Sequence, residues 1–519
     1  MSAPAGPSVV VVGGGIAGLA AAWEVCTGAA RDGRAAPVVH VVESDRRVGG
    51  KLLSAEVAGR TVDLAADAFL ARRPEATRLC HELGLDDELV AVGATGASLW
   101  ARGRLRPLPS QLNLGVPTRW WPLARSGILD PAESLRVARD VLLPHRGMRE
   151  ITGDRSVGEL VAERLGRPVV ERMVDPLVGG IHAGNVDQLS AAATFPLLLA
   201  ASHQPGSLMH RLGRARSAPP QQPGPGPGSG SGTPLFWSLA GGTADLADRL
   251  ALALSAHGVT IHTGVRVDAV HDSWGAGRKG PRWRLDLAGI PGTAGGPGPG
   301  GGSLTADGVV LAVPAPEAAV LLAPHAPRAA GLLSTVEYAS VAVVTFTVPR
   351  LSVQSRLSGT GFLVPRMSTV DGRPALVTGC TYLGRKWPHL ARPDDELLRA
   401  SVGRFGDERH RDLDDDELCA SAFGDLAAIL GIGGTPLHSR VTRWDRAFPQ
   451  YPVGHLIKVA QIEQEVAGLG GLAVAGAALR GVGIPACVAS GRGAGERVLA
   501  EVSGGERTAG RPGSDGPVR

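Results

Sequence analysis

Residues 9–25 read VVVVGGGIAGLAAAWEV: four valines, a cluster of glycines, then an alanine-rich stretch. Four consecutive β-branched residues without polar alternation suit a strand buried on both faces, the pattern of a parallel sheet covered by helices. Gly13-Gly14-Gly15-Ile16-Ala17-Gly18 then supplies a tight turn into a helix. Glycine at such a turn lets backbone N–H groups at the helix N-terminus approach a pyrophosphate, where the helix dipole favours negative charge. The spacing predicts an α/β nucleotide-binding unit; taken alone, it also suits a plain glycine-rich strand-to-helix turn.

The neighbours of this motif narrow the choice. A second apolar run, Val38-Val39-His40-Val41-Val42, ends in Glu43-Ser44, where a carboxylate would accept ribose hydroxyls. Arg47-Val48-Gly49-Gly50-Lys51-Leu52-Leu53-Ser54 follows and matches the RxGG(R/K)xx(S/T) pattern of FAD enzymes related to amine oxidases. The doublet resembles FAD-binding proteins more than NAD dehydrogenases, with Lys51 adding charge near phosphate. Near the other end, Gly471-Leu472-Ala473-Val474-Ala475-Gly476 predicts a strand, and Gly481-Val482-Gly483-Ile484-Pro485 opens a helix whose proline suits the first turn. That N-terminus, with N–H groups of Val482, Gly483 and Ile484, would face the flavin pyrimidine edge and stabilise the anionic reduced ring. His262-Thr263-Gly264-Val265-Arg266-Val267 follows an amphipathic helix expected over 244–257, and Val265 stands where related flavoproteins meet the adenine through the backbone. The cofactor domain is thus expected to assemble from distant parts of the chain.

Composition bounds what is attached to it. At roughly 100–200 residues per domain, 519 residues imply two to four domains. With 44% apolar and 20% charged residues the chain reads as globular. Lys+Arg 53 against Asp+Glu 49 leaves a surplus too small to argue for nucleic acid, and no basic run alternates with aromatics. Cys26, Cys80, Cys380, Cys419 and Cys487 are scattered without a CxxC, which suggests neither a disulfide framework nor a metal site and fits a reducing cytoplasm. The opening MSAPAGPS runs directly into a strand, so no targeting peptide is expected. The apolar stretch 189–201 is broken by Thr194 and Pro196 and falls short of the ~18 residues of a spanning helix. Gly/Pro-rich segments over 216–234 and 289–303, and the tail 504–519, are expected to be disordered. Residues 120–212 carry helical patterning with starts such as Asp130-Pro131, whereas 336–348 is β-branched and strand-like.

Taken together, these motifs resemble the bacterial oxygen-dependent porphyrinogen oxidases, which act on coproporphyrinogen III or protoporphyrinogen. Further pieces of the resemblance are Phe69-Leu70-Ala71-Arg72-Arg73-Pro74, Arg104-Leu105-Arg106-Pro107-Leu108-Pro109 and Asp175-Pro176-Leu177-Val178-Gly179-Gly180-Ile181-His182-Ala183-Gly184. Trp444-Asp445-Arg446-Ala447-Phe448-Pro449-Gln450-Tyr451-Pro452-Val453-Gly454-His455 is another. Where the family usually reads Gly-Pro-Asp-Ser, this chain has Ala65-Ala66-Asp67-Ala68. The resemblance spans about 9–502. It implies an α/β fold: a discontinuous Rossmann-like FAD-binding domain (1–70, 236–325, 441–503), a mixed-sheet substrate-binding domain (71–105, 326–440) and an inserted helical domain (106–212).

The implied activity is FAD-dependent oxidation of coproporphyrinogen III to coproporphyrin III in haem biosynthesis, with dioxygen as acceptor and hydrogen peroxide released. Four propionates against two, with several arginines to meet them, favour coproporphyrinogen over protoporphyrinogen IX. Another flavin amine oxidase and a non-catalytic tetrapyrrole-binding flavoprotein are the remaining alternatives. Cofactor contacts are expected from Gly13, Gly15, Ile16, Ala17, Gly18, Glu43, Ser44, Arg47, Gly50, Lys51, Ala65, Ala66, Asp67, Ala68, Val265, Trp444, Val482, Gly483 and Ile484. Substrate contacts are expected from Arg72, Arg73, Arg102, Gly179, Gly180 and His182; Arg102 matches a carboxylate contact proposed in the family. Arg102, Arg104 and Arg106 recur at period two, so an extended strand would put all three on one face. Gly179-Gly180 would admit a flat macrocycle close to the backbone, or cap a helix C-terminus. His182 and His455 are marked by motif position alone, and no catalytic base is assigned. A cytoplasmic protein is implied, with weak peripheral contact to a membrane and a ferrochelatase accepting the product.

Overall fold

The computed structural model describes residues 6–143, 153–217, 234–273, 280–289 and 302–504. Its centre is a five-stranded parallel sheet in the order Thr260–Thr263, Val38–Glu43, Ser8–Val12, Gly308–Leu311, Leu472–Val474. Successive residues of the first strand enter opposite cores. Val9 and Val11 pack beneath helices Ile16–Arg31 and Ile484–Gly504, while Val10 and Val12 pack against Trp283, Leu285 and helices Ala315–Leu322, Pro327–Ser334 and His455–Ala467. That is why the run shows no polar alternation. The first and last helices touch through their backbones: a Cβ at Gly491 would stand 2.0 Å from the Ala17 carbonyl oxygen, and one at Gly495 2.5 Å from that of Ala21. Sequence ends almost the whole chain apart therefore share one interface.

A seven-stranded sheet forms the second layer, in the order His438–Pro449, Tyr338–Pro349, Asp395–Val402, Val377–Tyr382, Gly361–Leu363, Ser98–Ala101, Arg104–Pro107. Its strands are antiparallel except where Gly361–Leu363 pairs parallel with Ser98–Ala101. Val344, Phe346, Leu398 and Ala400 turn towards helix Asp415–Leu430 and bury there; the alternate residues Val341, Val343, Arg399 and Ser401 line a cavity. The helix is held at its start by a capping box between Asp414 and Glu417 and stopped by Gly431 at φ 66°.

Helices Trp120–Ser126, Pro131–Leu142, Val157–Leu165, Pro196–Ser202 and Leu208–Ser217 share a third core around Leu123, Val137, Leu160, Met173 and Leu212. Asp130-Pro131 starts its helix with a capping box to Glu133. Val170–Gly179 winds as a π-helix containing Pro176, a wider turn that absorbs a residue unable to donate to the α ladder.

The structure departs from the sequence expectations in several places. Arg102 (φ 56°) and Gly103 (φ 69°) form a hairpin turn between Ser98–Ala101 and Arg104–Pro107, so Arg102, Arg104 and Arg106 do not share one face of one strand. The same hairpin carries strand structure past 106, where a helical domain was expected to begin; helix starts at Trp120. His438–Pro449 carries the substrate-side sheet past 440 because it pairs with Tyr338–Pro349. The segments expected to be disordered, 216–234, 289–303 and 504–519, lie largely outside the described residues. At their edges Arg216 and Ser217 close a helix, Gly504 ends another, and Leu287 pairs with Gly302 in a hairpin whose strands include Gly289 and Ser303. Among the described residues no helix is long and apolar enough to cross a membrane.

Candidate active site

A cavity of about 750 Å³ lies where the parallel sheet, the seven-stranded sheet and the helical segment meet. Gly13, Gly15, Ile16 and Ala17 line it at the head of the first helix; Val482 and Ile484 line it at the head of the last. Gly13 takes φ 105°, and a Cβ at Gly18 would stand 1.9 Å from the Gly13 carbonyl oxygen, so Gly13 and Gly18 serve the turn itself. Gly15 differs: a Cβ there would meet no protein atom within 4 Å.

Glu43 reaches the same turn. Its Oε2 accepts from the Gly14 N–H at 2.6 Å, while Oε1 accepts from the Asp45 N–H at 2.7 Å and the Ser44 hydroxyl at 3.2 Å. Carboxylate oxygens offer about four lone-pair sites, so capacity remains for ribose hydroxyls. Glu43, Ser44, Gly50, Lys51, Ala65, Ala66, Val265 and Trp444 all line the cavity. Ala65 and Ala66 are held by their carbonyls, which accept from Arg399 Nη1 at 3.3 Å and the Thr243 hydroxyl at 2.7 Å; Trp444 donates to the Leu64 carbonyl at 2.9 Å.

Gly18, Arg47, Asp67, Ala68 and Gly483 do not reach the cavity wall. Arg47 staples its own loop, donating to the carbonyls of Val48, Leu52 and Gly50. Asp67 lies behind the wall, between Lys386 at 2.9 Å and Arg399 at 3.1 Å, with Trp387 donating at 3.2 Å. Burial opposes its ionisation, but Arg399 and Lys386 outweigh that and hold the carboxyl well below the usual carboxylate range. Ala68 joins the small core around Leu383 and Trp387. The Gly483 carbonyl accepts from the Cys487 N–H at 3.0 Å. Lys51 reaches the Arg446 carbonyl at 3.4 Å and stands 5.9 Å from the Tyr338 ring centroid; burial pulls its pKa down.

Of the expected substrate contacts, Gly179 and Gly180 line the cavity. Both have helical φ near −60°, so neither is a helix cap; Ala183 takes the left-handed conformation instead, at φ 45°. Gly180 is open, since a Cβ there would meet nothing within 4 Å, whereas one at Gly179 would stand 3.0 Å from Asp175 Oδ1. Arg72, Arg73 and Arg102 are exposed and off the cavity wall: the first two precede helix Pro74–Glu82, and Arg102 sits in its hairpin turn. His182 is buried behind Ala183, edge-on to Tyr451 at 5.8 Å, with Nδ1 unpartnered, and burial lowers its pKa to about 4. His455 stacks on Tyr451 at 4.3 Å and hydrogen-bonds the Leu479 carbonyl at 2.7 Å, a structural position.

Among the cavity-side residues that escaped the sequence reading, four carry polar side chains the site can use. Tyr338, Arg399 and Arg404 line the cavity, and Arg366 backs it, donating to the carbonyls of Gly184 at 3.0 Å and Phe405 at 3.2 Å. The signal at Arg404 was slight: an arginine after the glycine that ends a strand, in a chain whose Lys+Arg total of 53 includes only Lys51, Lys279, Lys386 and Lys458 as lysine.

A flavin dinucleotide fits these walls. Gly15, Gly180 and Gly476 each leave open space where a side chain would stand, two helix N-termini converge, and the Glu43 carboxylate is already positioned. The family model for flavin-containing amine oxidoreductases matches residues 16–499. Coproporphyrinogen III oxidase of Bacillus subtilis is 33% identical over 94% of this chain and 96% of its own length. That of Mycobacterium bovis is 35% identical over 93% and 96%. Bovine protoporphyrinogen oxidase is 29% identical over 95% and 98%. A crystal structure from Exiguobacterium sp. 255-15, provisionally named a protoporphyrinogen oxidase, superposes with a TM-score of 0.78 at 30% identity, covering 95% of this chain and 99% of that one. The same architecture recurs in reduced UDP-galactopyranose mutase, at a TM-score of 0.66 and 13% identity over 98% and 100% of the two chains. The chain belongs to the flavin-containing amine oxidoreductase family, among its porphyrinogen oxidases, and its cofactor is FAD.

Proposed function

We propose that the protein oxidises coproporphyrinogen III to coproporphyrin III, with dioxygen as terminal acceptor and hydrogen peroxide as the second product. The observation that carries this reading is the cavity itself: beyond the nucleotide wall it extends between an apolar sheet face and the open Gly180, with Arg399 and Arg404 on its boundary. A flat tetrapyrrole with acidic substituents matches that combination of apolar faces and fixed cations. Flavin supplies the hydride acceptance and the reaction with dioxygen. The chain supplies the rest. Glu43 and the two helix N-termini hold the dinucleotide, and N–H groups at the head of helix Ile484–Gly504 favour negative charge beside them. Val341 and Val343 present an apolar surface that excludes water. Tyr338 stays protonated at neutral pH, because burial pushes its phenol up. Each hydride removed leaves a pyrrolic cation that releases an acidic N–H proton to water, so no side chain is assigned as a general base.

The decisive assay incubates aerobic holoenzyme with coproporphyrinogen III, protoporphyrinogen IX and simple amines, and follows porphyrin fluorescence and peroxide. Coproporphyrinogen is expected to turn over fastest. Preference for protoporphyrinogen would move the protein to the bovine relative's activity; amine turnover alone, or flavin binding with no peroxide from any substrate, would overturn the proposal. Trp121, Leu135, Leu142 and Leu143 are exposed on the helical segment and support weak peripheral contact with a membrane. Direct hand-over of the product to a ferrochelatase belongs to the same reading.

A further inference from the structure

Arg404 lines the cavity yet is only 7% exposed. Its backbone is fixed on both sides. Gly403 turns with φ 86°, and a Cβ there would stand 2.6 Å from His410. The Arg404 N–H donates to the Asp407 carbonyl at 3.3 Å, the Asp407 N–H returns to the Arg404 carbonyl at 2.8 Å, and the Phe405 N–H reaches the Ala183 carbonyl at 2.6 Å. The side chain is therefore held at the seam between the helical segment and the seven-stranded sheet.

Its Nε is buried with no hydrogen-bond partner, and no carboxylate among the described residues stands within ion-pair distance of the guanidinium. The neighbouring acids are already engaged. Asp407 accepts from Arg409 at 2.8 Å, and Asp175 stands 3.7 Å from Arg366, with burial pushing its carboxyl pKa up. Arg366, Arg404 and Arg409 thus share Asp175 and Asp407, and Asp425 beside Arg409 already accepts from the Leu376 and Val377 N–H groups. Burial lowers the Arg404 pKa to about 10, so the group stays charged at neutral pH. Of the other two arginines on the wall, Arg399 is spent on Asp67 and on the carbonyls of Asp63 and Ala65, and the exposed Arg266 pairs with Asp268 at 2.6 Å. A buried cation without a partner is unfavourable, and a guanidinium fork is shaped to accept a carboxylate in two parallel hydrogen bonds.

We propose that Arg404 receives one propionate of the tetrapyrrole, making it a substrate-anchoring residue that selects for a carboxylate at the seam of the cavity. This rests on the porphyrinogen reading and names the group that reads the substrate's acidic edge.

The test uses flavin-loaded wild type, Arg404→Gln and Arg404→Lys. Turnover of coproporphyrinogen III gives KM and kcat, and fluorescence titration gives the affinity for coproporphyrin III and for its uncharged tetramethyl ester. Loss of one charge-assisted contact predicts a KM for Arg404→Gln raised by about tenfold or more, with kcat changed much less. Affinity should fall for the acid and not for the ester, with partial recovery in Arg404→Lys. Melting temperature should hold or rise in Arg404→Gln, because a buried unpaired charge has been removed; a merely structural arginine would lower it. An unchanged KM, equal losses for acid and ester, or wild type binding both alike would each overturn the proposal. Should Arg404→Gln fail to fold, the wild-type preference and Arg404→Lys still decide. Acid-selective binding that depends on Arg404 in a wild type that oxidises no porphyrinogen would sink the oxidase reading and leave the anchor standing.

Discussion

His182 shows how burial alone can give a residue a pH signature. Its imidazole packs edge-on to Tyr451 with Nδ1 unpartnered, and its pKa falls from 6.5 to about 4. Between those values the unfolded chain binds the proton and the folded chain does not, so stability rises with pH. The contribution is complete above pH 6.5, is lost as pH falls towards 4, and is flat below that. Its ceiling is about 3 kcal/mol. Wild type is expected to lose more unfolding free energy than His182→Gln between pH 6.5 and 4 in parallel denaturant titrations. Equal slopes for the two proteins would show that His182 is not the group responsible. The motif containing His182 was legible in the sequence, but its role was not, because a histidine's environment is set by residues such as Tyr451 that lie far away in the chain.

At the scale of elements, glycines with different neighbours separate packing from ligand binding. Gly491 lets helix Ile484–Gly504 lie against helix Ile16–Arg31, and a Cβ there would stand 2.0 Å from the Ala17 carbonyl oxygen. Gly491→Ala is expected to lower stability by about 1–3 kcal/mol, the usual range for overpacking, and to lower the melting temperature of apoprotein and holoprotein alike. Gly15 sits at φ −68°, which any residue can adopt, with open space beyond it. Gly15→Ala should leave the apoprotein melting temperature nearly unchanged while the FAD retained on purification, read from flavin absorbance, falls. Loss of apoprotein stability in Gly15→Ala would refute this division of labour. Both glycines stand in glycine-rich stretches of the sequence, and only their neighbours in space tell them apart.

At the scale of the molecule, the cavity depends on the helical segment staying docked against the seven-stranded sheet. Arg366 crosses that seam, donating to Gly184 and Phe405 carbonyls and standing 3.7 Å from Asp175 Oδ2. Arg366→Ala is expected to cost roughly 1–3 kcal/mol, because it strands two carbonyls and a buried carboxylate. Faster amide hydrogen exchange in 175–186, with KM rising more than kcat falls, would mark the loosened wall. Unchanged exchange there would show that the seam is held by packing alone.

Local pattern was enough to establish the nucleotide unit. Residues 9–25, Glu43 and the 481–485 turn are short-range signals of strand, turn and helix, and backbone chemistry alone dictates what such a turn can hold. The same reasoning misled at Arg102, Arg104 and Arg106, where periodicity assumed a continuous strand and two residues of positive φ made a hairpin. Arg47 and Asp67 stood in the right motifs, but their side chains are consumed by Gly50, Leu52, Lys386 and Arg399. Which arginine is left with charge to offer was settled only by folding. Among so many arginines, availability depends on whether a carboxylate from elsewhere in the chain comes within reach, and that is a property of three-dimensional packing rather than of spacing along the backbone.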